Sequence, residues 1–186
     1  MHIEVNKGDL KRITGKLKDL ENAPKHLRNA INRTATQAMK LIRAGRSKGY
    51  TIKPGRFNKD IKVVRANAAH LDAVIHAKGR PPTLSGSFKT TFPKAGGKAD
   101  VTKSGLKKLI SSTGGAAFIP TGGKAAGLLA QREGPGRFPI KVLYGNSVPK
   151  MVEKIWKGER GGQGHVEDKV KKILHDELMT EVEKII

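Results

Sequence analysis

Residues 24–50 read PKHLRNAINRTATQAMKLIRAGRSKGY, and the spacing of their apolar residues decides the architecture. Leu27, Ala30, Ile31, Thr34, Ala35, Ala38, Leu41 and Ile42 share one face at the helical period of about 100° per residue. Lys25, Arg28, Arg33, Lys40, Arg43 and Arg46 fall in the opposite arc. Pro24 suits the first turn of a helix and Gly49 its end. The stretch predicts one long amphipathic helix whose outer face is cationic. Such a helix buries its apolar stripe only against another layer, so the rest of the chain must supply one.

On the N-terminal side, Ile3 and Val5 alternate with polar residues as in a short strand. Leu10, Ile13, Leu17 and Leu20 form a helical stripe with Asp9 available as N-cap. On the other side, Pro54 and Gly55 mark a turn or a short broken helix. Ile61, Val63 and Arg65, then Leu71, Ala73 and Ile75, alternate with their neighbours around a turn at 67–70, which predicts a β-hairpin. Residues 128–145 offer two more short strands around Gly134-Pro135-Gly136, and residues 147–156 a short helix with Pro149 in its first turn. A second strong helix follows over 166–186. Its apolar face is Val166, Val170, Ile173, Leu174, Leu178, Val182 and Ile185, and Glu167 and Asp168 complement the dipole of its first turn.

Between these elements, residues 80–127 lose all periodicity and are rich in Gly, Ser, Thr, Pro and Lys. Only 88–92 and 116–119 look strand-like. A loop this long inside a domain is usually functional or disordered. The expectation is a mobile Gly/Lys-rich loop or hairpin arm that orders against a partner. No internal repeat is apparent. The chain is expected to be a single α+β domain over 1–186. In it, a long N-terminal helix and a C-terminal helix pack on a small, mainly antiparallel sheet.

Composition narrows the function. The chain has 186 residues, enough to bury roughly 70% of its unfolded surface. Only eight residues are Phe, Trp or Tyr, so the core must be aliphatic. The net charge is +21, and it is unevenly spread. Residues 1–60 carry 15 basic and 5 acidic residues, residues 61–160 carry 18 and 5, and residues 161–186 carry 4 and 6. A basic body of this kind is an electrostatic footprint for a polyanion. Contact with DNA through Arg28, Arg33, Lys40, Arg43 or Arg46 would be read through phosphates, largely without regard to sequence. The same face could equally meet an acidic protein surface. No stretch approaches the roughly 20 apolar residues of a membrane span, so no membrane partner is expected.

Chemistry finds little to work with. The absence of cysteine removes disulfides and thiolate sites. Gly96-Gly97-Lys98 and Gly122-Gly123-Lys124 lack the spacing of a phosphate-binding loop. His70 and His76 stand six apart on two strands, which is not a metal-ligand spacing. The paired acids Glu167-Asp168 and Asp176-Glu177 read as solvated positions on the last helix. The sequence therefore assigns no catalytic, metal or cofactor residue, and no enzyme is expected.

Residues 137–152, RFPIKVLYGNSVPKMV, set a strand against a turn and a helix. Proline cannot continue a central ladder, so Pro139 should start its strand at an edge or a bulge. Gly145 should permit the turn, and Pro149 should enter the next helix. Leu143 and Tyr144 should point to opposite faces. One reading places Tyr144 half-buried in the core. The other makes Pro139, Ile140, Leu143, Tyr144, Gly145 and Pro149 a subunit-contact edge.

This segment resembles a run of the form LPI-x-x-LYGPSVP-x-M in phage minor tail proteins of the Z type, also called tail-completion proteins. Pro139, Ile140, Leu143, Tyr144, Gly145, Ser147, Val148, Pro149 and Met151 match it. An AINRTA-like run at residues 30–35, the basic and apolar run KDIKVVRANAAHLDAVI, and AFI at residues 117–119 occur in the same order as in that family. The resemblance covers about residues 24–152. Asn146 stands where the family more often has proline, residues 80–115 form a long insert, and the acidic last helix is not shared.

The resemblance implies a non-enzymatic virion protein that completes the tail at the head–tail junction, where it is needed for tail assembly, head–tail joining and DNA passage. It implies a homo-hexameric ring and location in the tail or neck, reached from the host cytoplasm during assembly. Its implied partners are tail terminator, tail tube or head–tail connector proteins, with the phage DNA in the channel as a further candidate. The residues alone leave open an alternative, a sequence-independent nucleic-acid-binding protein.

Overall fold

The computed structural model describes residues 2–3 and 23–184. The stripe at Leu10, Ile13, Leu17 and Leu20, together with Val5 and Ile185, lies outside the described residues. In chain order the elements are β1 (His2–Ile3), α1 (Ala23–Gly49), α2 (Pro54–Lys59), β2 (Ile61–Val64), β3 (Ala73–Ala77) and α3 (Leu84–Ser87). There follow β4 (Lys89–Thr91), β5 (Lys98–Asp100), β6 (Lys107–Lys108), β7 (Ala130–Arg132), β8 (Ile140–Val142), α4 (Val148–Trp156) and α5 (Val166–Glu183). The architecture is α+β, with small antiparallel sheets set against a long first helix and a closing helix.

Helix α1 has 27 residues and is therefore about 40 Å long. Leu27, Ala30, Ile31, Thr34, Ala35, Ala38 and Ile42 are buried as their spacing requires, and Met39 joins them. Leu41 is only partly buried. Thr34 is tolerated in the stripe because its hydroxyl donates to the Ala30 carbonyl at 2.9 Å. Helix α5 runs back along α1. Glu181 meets His26 near the start of α1, while Val166 and Val170 share a cluster with Ala38 and Ile42 near its end. Helix α4 comes closest at Gly45, where a Cβ would overlap Cγ2 of Ile155.

The hairpin forms with β2 antiparallel to β3, pairing Ile61 with Ala77 and Val64 with Val74. Strand β1 pairs with the other edge of β3. Ala73 and Ile75 face inward and are fully buried, while Lys62, Val64 and His76 face out. Asn67 closes the turn by accepting the backbone N–H groups of Ala69 and His70 at 2.9 and 2.8 Å.

Residues 80–127 differ from the expected mobile arm. Strands β4, β5 and β6 form an antiparallel sheet in that order. Bridges from Ile110 to Ala116 and from Phe118 to Ala130 carry the ladder on to β7, which pairs with β8. Leu84, Phe88, Ala99 and Ala117 are buried in the same cluster as Ile42, Phe57 and Ile155. The physical reason is the brevity of the strands. Each spans two or three residues, and only β5 carries an apolar one, Ala99, so the runs are too short for alternation to show in the sequence.

Candidate functional site

Residues 137–152 fold as a strand, a turn and a helix. Strand β8 pairs with β7, setting Ile140 opposite Arg132 and Val142 opposite Ala130. Leu143 then bridges two segments: its N–H donates to the Leu129 carbonyl at 2.8 Å, and its carbonyl accepts from Leu84 at 3.0 Å. Tyr144 bridges Thr83, and the Gly145 N–H donates to the Pro82 carbonyl at 2.8 Å. Ser147 takes the N-cap position of α4, and Pro149 lies in the first turn, where a missing N–H leaves no helical bond unmade. Val148, Met151, Val152 and Ile155 are buried beneath.

Leu143 packs on the core, and Tyr144 is 58% exposed, so the two do face apart. The reading of Tyr144 as a half-buried core residue is overturned by that exposure. Phe138, just before β8, is 70% exposed. Among the described residues the second edge of β8 pairs with no strand. That edge is open along Ile140–Val142 and closed at Tyr144 by the bridge to Thr83, and the exposed rings of Phe138 and Tyr144 flank the open part. Gly145 serves a purpose other than the one expected. Its backbone is not left-handed, but a Cβ there would overlap the Phe88 ring.

The cationic arc of α1 is not one free face. Lys40 and Arg43 are exposed and Arg28 is half-buried, with no ion pair to any of them among the described residues. Arg46 turns back to donate to the Ile52 carbonyl at 3.2 Å and to Ser47 Oγ at 2.9 Å. Arg33 is committed to α5, at 2.5 Å from Glu181 and 3.4 Å from Glu177. Beside it lies a polar groove of about 380 Å³, lined by Asn29, Asn32, Thr36, Gln37 and Arg65. The Asn32 amide holds both backbone groups of Ala66, at 3.0 and 2.9 Å, and Arg65 donates to Thr36 Oγ1 at 3.3 Å. Asn32 and Arg65 belong to this surface although nothing in the helical pattern marks them.

The acids of α5 are not all solvated. Glu181 is 3% exposed and accepts from Lys184 at 2.8 Å, His26 Nδ1 at 2.7 Å and Arg33 at 2.5 Å. The hydrogen bond from Lys184, aided by those from His26 and Arg33, holds its pKa down at about 2 despite burial. The sequence does contain the signal. Glu181 stands three residues after Leu178 and seven after Leu174, on the apolar stripe itself. An acid there requires a basic partner on the facing helix.

The remaining candidates stay apart. His70 sits exposed in the hairpin turn, and His76 lies opposite Lys62. Lys98 opens a strand and Lys124 lies in a turn, so neither glycine pair leads into a helix. Among the described residues no group of three or more His, Asp or Glu side chains is placed to hold a metal ion, and no helix is long and apolar enough to cross a membrane. No family model, no curated protein and no solved structure matches the chain.

Proposed function

We propose that the protein is a structural component of a phage tail or neck, acting without catalysis to complete the tail and join it to the head. The observation that carries this reading is the ordered likeness of residues 24–152 to the tail-completion family, with nine matching positions between Pro139 and Met151. Geometry supports it at one point. The motif's Val148 and Met151 are spent on the core, while the Tyr144 ring and the edge of β8 over residues 140–142 are left open. An exposed tyrosine beside a strand edge open over three residues suits a contact between subunits, where aromatic residues are enriched and strand edges can pair. A homo-hexameric ring is the expected assembly, with tail terminator, tail tube or connector proteins above and below.

The mass of the purified full chain in solution tests this, alone and mixed with phage tails that lack their last component. A closed ring, or a monomer that becomes ring-bound on the tail, is the expected result. Replacing Tyr144 and Phe138 by serine should leave thermal stability unchanged, because both side chains are exposed, and should abolish ring formation. A monomer that ignores tails, but takes up DNA at moderate salt, would overturn the structural role.

A further inference from the structure

Between Ala73 and Arg132 the chain has ten Lys and Arg residues and one acid, Asp100. That acid stands opposite Lys89 in the ladder but forms no ion pair with it, and one acid cannot balance ten cations. Asp100 is 7% exposed, and its carboxylate accepts from the Ser104 N–H at 3.2 Å. None of the ten cations forms an ion pair among the described residues. Six of them, Lys89, Lys94, Lys98, Lys103, Lys107 and Lys108, lie on or between strands β4, β5 and β6. Five of the six are exposed and Lys98 is partly so. Lys98 and Lys108 are direct cross-strand partners. Their Cβ atoms therefore stand about 5 Å apart, and like charges so placed weaken a ladder.

The sheet beneath these lysines is fixed. Ala99 of β5 is buried in the main cluster, and Leu109 packs on it just after β6. In this register Lys89, Lys98 and Lys108 share the face turned away from buried Ala99, whereas Lys107 stands opposite Ala99 on the other face. The first three charges are thus presented on a supported surface, at a standing electrostatic cost that a bound anion would remove.

We propose that the β4–β5–β6 sheet is a binding surface for the phosphate backbone of duplex DNA, without sequence preference. Three features of the surface choose this ligand. Lysine is a point charge suited to phosphate and depleted from protein interface centres. The three strands carry no aromatic ring, and Phe92 just after β4 is a single exposed one, fewer than the successive rings a single strand would stack on. No helix enters from this sheet to read base edges, so contacts stop at the backbone. The inference goes beyond the assembly role and does not depend on it, since a ring and a monomer would both present the sheet.

Fluorescence anisotropy of a labelled random duplex, titrated with the full chain between 50 and 200 mM salt, tests the assignment. The triple variant Lys89→Gln, Lys98→Gln, Lys108→Gln should weaken binding at least tenfold at 50 mM salt. It should also flatten the plot of log affinity against log salt by about 2 to 3, at about 0.9 for each phosphate left unneutralised. The charge-matched variant Lys150→Gln, Lys169→Gln, Lys172→Gln should keep the parent slope. Replacing the first three lysines by arginine should keep binding, which separates removal of charge from damage to the fold. The proposal is overturned if the parent fails to bind duplex at 50 mM salt or if the triple variant binds like the parent. It is also overturned if single-stranded DNA or poly-glutamate binds more tightly than duplex. Ring formation is scored separately by mass, so failure here leaves the assembly reading untouched, and the converse holds.

Discussion

Glu181 shows how one residue can tie the two long helices together. Its carboxylate is buried between α1 and α5 and takes hydrogen bonds from three side chains, those of Arg33, Lys184 and His26. Its folded pKa of about 2 lies below the ordinary 4.5, so the stabilisation is full above pH 4.5 and is lost as the pH falls toward 2. Glu181→Gln should therefore cost about 2 kcal/mol at neutral pH, less than a fully desolvated pair because Arg33 and Lys184 are about half exposed. The gap between variant and parent should close between pH 4.5 and 2. Urea unfolding at pH 7, 5 and 3 measures both, and equal stability of the two proteins at pH 7 would refute the claim. Gly145 makes a second point. Alanine there must displace the Phe88 ring, at a cost of about 1–3 kcal/mol. Gly145→Ala combined with Phe88→Leu should recover part of that loss, whereas a turn requirement at Gly145 would leave the double variant as unstable as the single one.

At the scale of elements, what can be read in advance follows the length of each periodic run. Helices α1 and α5 span 27 and 18 residues, so their stripes are written several times over. The hairpin β2–β3 shows through alternation, and the β8–α4 edge through prolines placed where a ladder or a helix can accept them. Strands β4 to β6 cannot be read this way, because two or three residues do not establish a period. The fate of the cations is equally hidden. Arg33 and Lys40 look alike on the helical wheel, and only the arrival of Glu177 and Glu181 on another helix tells them apart. Helix packing carries its own test. Gly45 lets α4 approach α1 until Ile155 occupies the space of a missing Cβ. Gly45→Val should cost about 1–3 kcal/mol by forcing the helices apart, although glycine is itself a poor helix residue. Pairing it with Ile155→Ala should restore part of the loss in thermal unfolding. No recovery in the pair would mean that the approach is set elsewhere.

Over the whole molecule, the excess of positive charge is the dominant fact. A net charge of +21 on 186 residues works against compaction, because folding brings the cations closer than they are in the unfolded chain. Few local partners relieve it. The ion pairs of the described residues lie on α1 and α5, at Arg56–Asp60, and on and just after α4, while the β4–β5–β6 sheet has none. Salt acts on these two populations with opposite signs. It weakens the exposed pairs slightly and screens the repulsion among the unpaired lysines, and at this imbalance the second effect should win. Raising sodium chloride from 20 to 300 mM should therefore increase stability by about 1 kcal/mol, a rise of about 2–4 °C in Tm for a chain of this length. Removing the three sheet lysines as glutamine should raise Tm at low salt and shrink the salt effect, since the cost of holding Lys98 opposite Lys108 is then gone. A Tm that falls with salt, or a variant as salt-dependent as the parent, would show that the sheet is not where the repulsion is concentrated.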